Sequence, residues 1–215
     1  MNISAPTLAA LLAICGSAIA ADLEPERQVE DNVLISASDP SVRITLPTQA
    51  QHVGAHRWVL YDVADCEVHV FVEADENKKV ERLYWIQFEG YIPSKPDLRY
   101  DYSKDEPITI GGRQFFARPA FGESQKKGKP GSDLETVQRL LRENGYTLPD
   151  HTVNTRLVHL FDDRRKELMI IYAEDMAPLG VTSPDLRSGG SQEARWPEVS
   201  KQVVKSAQSR IELEW

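Results

Sequence analysis

Cysteine is scarce in this sequence of 215 residues, which contains only Cys15 and Cys66. Cys15 lies within a segment that we predict is removed from the mature chain, so Cys66 would remain alone. A single cysteine cannot form a disulfide within the chain, and the fold must therefore be stabilised by packing. Because Cys66 begins an apolar run, we expect it to be a buried, small apolar residue rather than a reactive thiol.

Charged residues are absent from the first 20 positions. An apolar stretch at 8–14, followed by a small-x-small sequence at 18–20, predicts a signal peptide over 1–20, although its first residues include no Lys or Arg. Two alternatives stay open: an N-terminal helix of the folded domain, and a lipoprotein signal ending at Cys15, against which the bulky Ile14 argues. No second long apolar run follows, so we expect no transmembrane segment in the mature chain. The predicted location is the bacterial periplasm or the medium into which the protein is secreted.

Positive charge is in deficit. The sequence has 25 lysines and arginines and 33 aspartates and glutamates, which gives a net charge of −8. Nucleic-acid binding requires a basic surface that releases counterions from the phosphates. We therefore predict no nucleic-acid partner. The negative charge itself mainly favours solubility.

The motifs of common catalytic and cofactor sites are also missing. The sequence contains neither the H-E-x-x-H pattern of zinc proteases nor the G-x-S-x-G pattern of serine hydrolases. Gly122, Gly128 and Lys129 are spaced one residue too far apart for a phosphate-binding loop, and Pro130 stands where a magnesium ligand is needed. We therefore predict no metal, no cofactor and no assigned catalytic residue.

Alternating apolar and polar residues are abundant instead. Residues 66–91 form two alternating runs around a polar break at 74–79, which is typical of a β-hairpin. A second hairpin is predicted from 154–162 and 167–174, whose strands are apolar on both faces and suit the centre of a sheet. Further strands are expected at 32–38, 42–46, 57–63 and 114–117, with loops at 47–56 and 121–131.

Two amphipathic helices are predicted, at about 132–144 and 196–210. Ser132 and Glu135 match a capping box, and Pro197 suits a first helical turn. Because the helices follow the strands rather than alternate with them, the order indicates an α+β fold. We expect a largely antiparallel β-sheet built from two main hairpins, with both helices packed on one face. The predicted domain organisation is a signal peptide at 1–20, a flexible lead at 21–31 and a single domain at 32–215.

One group of side chains could form a pocket. On a regular strand Trp85, Gln87 and Glu89 share one face, while Glu67 and His69 share a face of the preceding strand. If the register brings these faces together, His69 lies near Glu89 between aromatic residues, as in a ligand pocket on a sheet. The alternative is a face that is covered by a helix or half solvated with ordinary cross-strand pairs.

Three functional hypotheses remain from the sequence. The first is an exported, non-enzymatic accessory or binding protein, whose partner is an unidentified protein or small molecule. The second is a cofactor-free hydrolase-type enzyme that uses His69 and Glu89, and it requires an accessible His69. The third is an inhibitor or immunity-type protein whose acidic surface binds a basic partner.

Overall fold

The structure is a computed structural model that describes residues 23–215. The predicted signal peptide at 1–20, with Cys15, lies outside the described residues. Within residues 23–215, no helix combines the length and apolar character needed to cross a membrane.

Antiparallel strands dominate the chain, as the sequence predicted. They are β1 Gln28–Glu30, β2 Val33–Ser36, β3 Val42–Thr45, β4 Gln51–Leu60, β5 Ala64–Ala74, β6 Val80–Tyr91, β7 Glu106–Ile110, β8 Arg113–Glu123, β9 His151–Phe161, β10 Lys166–Asp175 and β11 Glu212–Glu214. Seven of them form a large sheet in the order β4-β5-β6-β10-β9-β8-β7, and the other four form a small sheet in the order β1-β2-β3-β11. Both predicted hairpins, β5-β6 and β9-β10, lie in the large sheet and adjoin through β6 and β10.

The described helices are α1 Asp133–Glu143, α2 Ser183–Leu186 and α3 Trp196–Arg210, with short 3-10 turns at Ala177–Leu179 and Glu193–Arg195. The side chain of Ser132 accepts a hydrogen bond from the Glu135 N–H, which begins α1 as its capping sequence predicted. In α1 the buried stripe includes Val137 and Leu140, and in α3 it includes Val199 and Val203.

The two longer helices pack on opposite faces of the large sheet, so the prediction of a single helical face is wrong. Helix α1 joins Val68 and Val70 in one core, whereas α3 joins Leu157 and Ile170 in the other. The small sheet also packs into the core that contains α3. The central strands are apolar on both sides because each side is covered by a different layer.

Three of the sequence predictions need correction. The expected polar loop at 47–56 contains most of β4, an edge strand whose half-exposed side chains obscure its alternation. The expected short strand at 114–117 extends to Glu123 in β8. Within the predicted lead at 21–31, residues 28–30 form β1, and the Leu23 N–H donates to the carbonyl of Arg57 at 3.0 Å, so this segment is paired with the sheets.

Candidate functional site

The register of β5 and β6 separates the two predicted groups of site residues. Glu67 lies opposite Phe88 and His69 opposite Ile86, while Gln87 lies opposite Val68. Side chains directly opposite one another share a face. Glu67 and His69 therefore face the α3 core, whereas Trp85, Gln87 and Glu89 face the α1 core. The expected pairing of His69 with Glu89 does not occur.

Glu67 is the centre of the first group. Its carboxylate accepts hydrogen bonds from the backbone N–H groups of Glu26 and Arg27, both at 2.9 Å, from the Arg27 guanidinium at 3.0 Å and from His69 Nε2 at 2.8 Å. Burial alone would raise the pKa of Glu67, but the bonds from His69 and the two backbone groups outweigh it and lower that pKa to about 2. Arg27 also stacks on the Phe88 ring, 4.2 Å from its centroid. The group ties the N-terminal segment to the large sheet.

His69 is inaccessible to a substrate, with only 1% of its surface exposed. Its Nε2 is occupied by Glu67, and its Nδ1 has no hydrogen-bond partner among residues 23–215. A general base must reach the proton that it abstracts. The geometry therefore gives no support to a hydrolase site built on His69 and Glu89.

Trp85, Gln87 and Glu89 form the second group, and they make one continuous hydrogen-bonded row along β6. The indole Nε1 of Trp85 donates to Gln87 Oε1 at 2.9 Å, and Gln87 Nε2 donates to Glu89 Oε2 at 2.8 Å. Tyr100 completes the row by donating its hydroxyl to Glu89 Oε1 at 2.7 Å. The shared face of these three residues is as predicted, and the bonds fix the orientation of the Trp85 ring.

A second buried carboxyl group, Glu167, adjoins the end of this row. It lies directly opposite Glu89 in the register of β6 and β10, and Tyr102 donates its hydroxyl to Glu167 Oε2 at 2.8 Å. Burial and the nearby charge of Glu89 raise the pKa of Glu167 to about 8. The Glu167 carboxyl group therefore keeps its proton at neutral pH.

Cys66 faces the same core, opposite Glu89. Its side chain is fully buried, and burial together with the charge of Glu89 raises the pKa of its thiol. Since the thiolate is the reactive form, Cys66 is an inert core residue, in agreement with the sequence prediction.

A cleft of about 260 Å³ opens beyond Trp85, between α1 and the large sheet. Leu83 and Trp85 of β6 and Ile171 of β10 form its apolar floor, and Leu134 and Val137 of α1 form a wall. Apolar surface that a protein leaves open in a concave site is a usual feature of ligand binding. Trp85 is thus the one predicted site residue that lines the cleft.

Small side chains make the cleft deep on the side of β8 and β9. The register places Ala173 of β10 opposite Asn154 of β9, and Asn154 opposite Ala120 of β8. Gly122 lines the cleft, and a Cβ added to it would meet nothing within 4 Å. The space beside α1 therefore exists because short residues occupy the positions where long ones would fill it.

The described residues include no group of three or more His, Cys, Asp or Glu side chains placed to hold a metal ion. No protein-family model, no curated protein and no solved structure matches this chain.

Sequence reasoning missed Gly122 and Asn154, because it placed the first in a loop and assigned the second no role. It also missed Glu167, although a glutamate at the start of a doubly apolar strand is unusual enough to be a signal.

Proposed function

We propose that this protein is a non-enzymatic binding protein that holds a small apolar group in the cleft between α1 and the large sheet. The observation that carries the proposal is the concave apolar cleft whose floor is formed by Leu83, Trp85 and the more exposed Ile171. The row of hydrogen bonds behind Trp85 supports it, because a fixed aromatic ring is a preorganised contact surface. The cleft is smaller than the roughly 300–1,000 Å³ of drug-sized sites, which favours a small ligand or a single projecting side chain.

Export is part of the same proposal and rests on the uncharged, apolar pattern of residues 1–20. We expect N-terminal sequencing of the protein recovered from its own host to find Ala21 as the first residue. Recovery of a chain that still begins at Met1 would contradict export by cleavage.

The cleft can be tested by filling it through Gly122→Leu. We expect this variant to bind an uncharged naphthylamine fluorophore at least about tenfold more weakly than the unchanged protein, since the leucine would occupy the volume that the ligand needs. The measurement is fluorescence titration. The new side chain meets open space, so the midpoint of urea unfolding should change little.

Gln114→Leu is the matched control, because it adds the same side chain at an exposed position of the same strand, outside the cleft lining. Its fluorophore affinity should equal that of the unchanged protein. Equal affinity for Gly122→Leu and the unchanged protein, or no binding by either, would refute the proposed function.

A further inference from the structure

Two polar side chains interrupt the apolar floor of the cleft. Thr152 and Asn154 both line it, and the register places them on the same face as Asp175 and Ala173 of β10. Neither side chain makes a hydrogen bond to any other residue in the described part of the chain. Side chains with an amide and a hydroxyl group, neither bonded to another residue, thus line the space that a ligand would fill.

The charged side chains around the cleft are mainly carboxylates that already have cationic partners. Asp175 is paired with Lys79 at 3.1 Å and Glu123 with Arg187 at 2.6 Å, whereas the exposed Lys126 makes no ion pair in the described part of the chain. The carboxyl group of Glu174 belongs to the opposite face, where it accepts a hydrogen bond from the Tyr172 hydroxyl. A cationic ligand would therefore lose its hydration at carboxylates that already have partners. An anionic ligand would gain only the exposed Lys126, and exposed ion pairs stabilise little.

From these contacts we infer that the ligand is a small, uncharged molecule with an apolar body and one hydrogen-bonding group, such as an amide or a hydroxyl. This inference rests on the proposed function, since it concerns the same cleft. The apolar body covers Trp85 and Ile171, and the polar group bonds with Asn154 and Thr152. A purely apolar ligand would cover the Asn154 amide and leave it without a partner, which is unfavourable in a site shielded from water.

Four probes share one benzene ring and differ in their substituent: benzamide is uncharged and polar, toluene is apolar, benzoate is an anion and benzylamine is a cation. Their relative affinities show which kind of ligand the cleft prefers. Displacement of the naphthylamine fluorophore measures their affinities. We expect benzamide to bind about threefold to tenfold more tightly than toluene, the gain of one net hydrogen bond, and both charged probes to bind more weakly than benzamide.

Asn154→Leu supplies the matched variant. It should abolish the preference for benzamide over toluene, whereas Gln114→Leu, outside the cleft lining, should preserve both the preference and fluorophore binding. Equal binding of benzamide and toluene by the unchanged protein, or tighter binding of a charged probe, would overturn this inference and leave the cleft as a binding site. Failure of the fluorophore and all four probes to bind would overturn the proposed function as well.

Discussion

Replacing Glu67 by leucine is expected to destabilise the protein by about 3–5 kcal/mol, the usual cost of breaking a buried ion pair by removing one partner. The change would leave the Arg27 guanidinium, His69 Nε2 and two backbone N–H groups without their acceptor. Urea unfolding followed by circular dichroism measures the loss as a lower midpoint with an unchanged slope.

Glu106→Leu is the control, because Glu106 is exposed on the edge strand β7, where surface changes usually stay within about 0.5 kcal/mol. The unchanged protein should also lose stability as the pH falls from about 4.5 to about 2, since a carboxyl group with a lowered pKa stabilises the fold only while it is ionised. Glu67→Leu should lack this part of the acid sensitivity. A leucine variant as stable as the control would show that the Glu67 contacts do not hold the N-terminal segment.

Glu167→Gln should change the response to alkaline rather than acid conditions. The pKa of Glu167 rises from 4.5 to about 8 on folding, so the folded state holds its proton where the unfolded state has lost it. Stability should therefore fall as the pH rises through this window, and a shift of this size corresponds to about 4–5 kcal/mol. Glutamine carries no charge and still offers an oxygen to Tyr102, so the variant should exceed the unchanged protein in stability at pH 8.5 and match it near pH 4.

The measurement is the difference in unfolding free energy between the two proteins across this pH range. Other titratable or charged groups act on Glu167: Glu89, Tyr100, Tyr102, Asp133 and Arg156. Because these groups are the same in both proteins, the difference reports Glu167 alone. Glu76→Gln, at an exposed turn, should follow the unchanged protein at every pH. A difference that does not vary with pH would show that Glu167 is ionised throughout.

Much of the fold could be predicted because its signals are local. Alternation within residues 66–91 and 154–174 predicted both central hairpins, and capping at Ser132 predicted the start of α1. The face that each helix covers could not be predicted, since it depends on contacts between segments far apart in sequence. Central strands that are apolar on both sides offer either face to a helix.

The predicted pairing of His69 with Glu89 was wrong because it assumed the wrong register between β5 and β6. Glu67 and Glu89 both have odd numbers, and each shares a face with the odd-numbered residues of its own strand. In the register, however, odd positions of β5 lie opposite even positions of β6. A shift of one residue exchanges the faces of a whole strand, and alternation alone does not reveal which shift the turn imposes. The cleft could not be predicted for a similar reason. Gly122, Asn154 and Ala173 become neighbours only when β8, β9 and β10 pair.

The small sheet has a consequence for synthesis of the chain. Strand β3 at Val42–Thr45 acquires its second neighbour only when β11, at Glu212–Glu214, pairs with it. Until residue 214 has left the ribosome, β3 is the edge strand of the small sheet, and its unpaired backbone groups can form a ladder with another chain. The short β11, with glutamates at both ends, covers this edge. A translation product that stops before residue 212 would therefore keep the β3 edge exposed and be more prone to aggregate than a chain that includes β11.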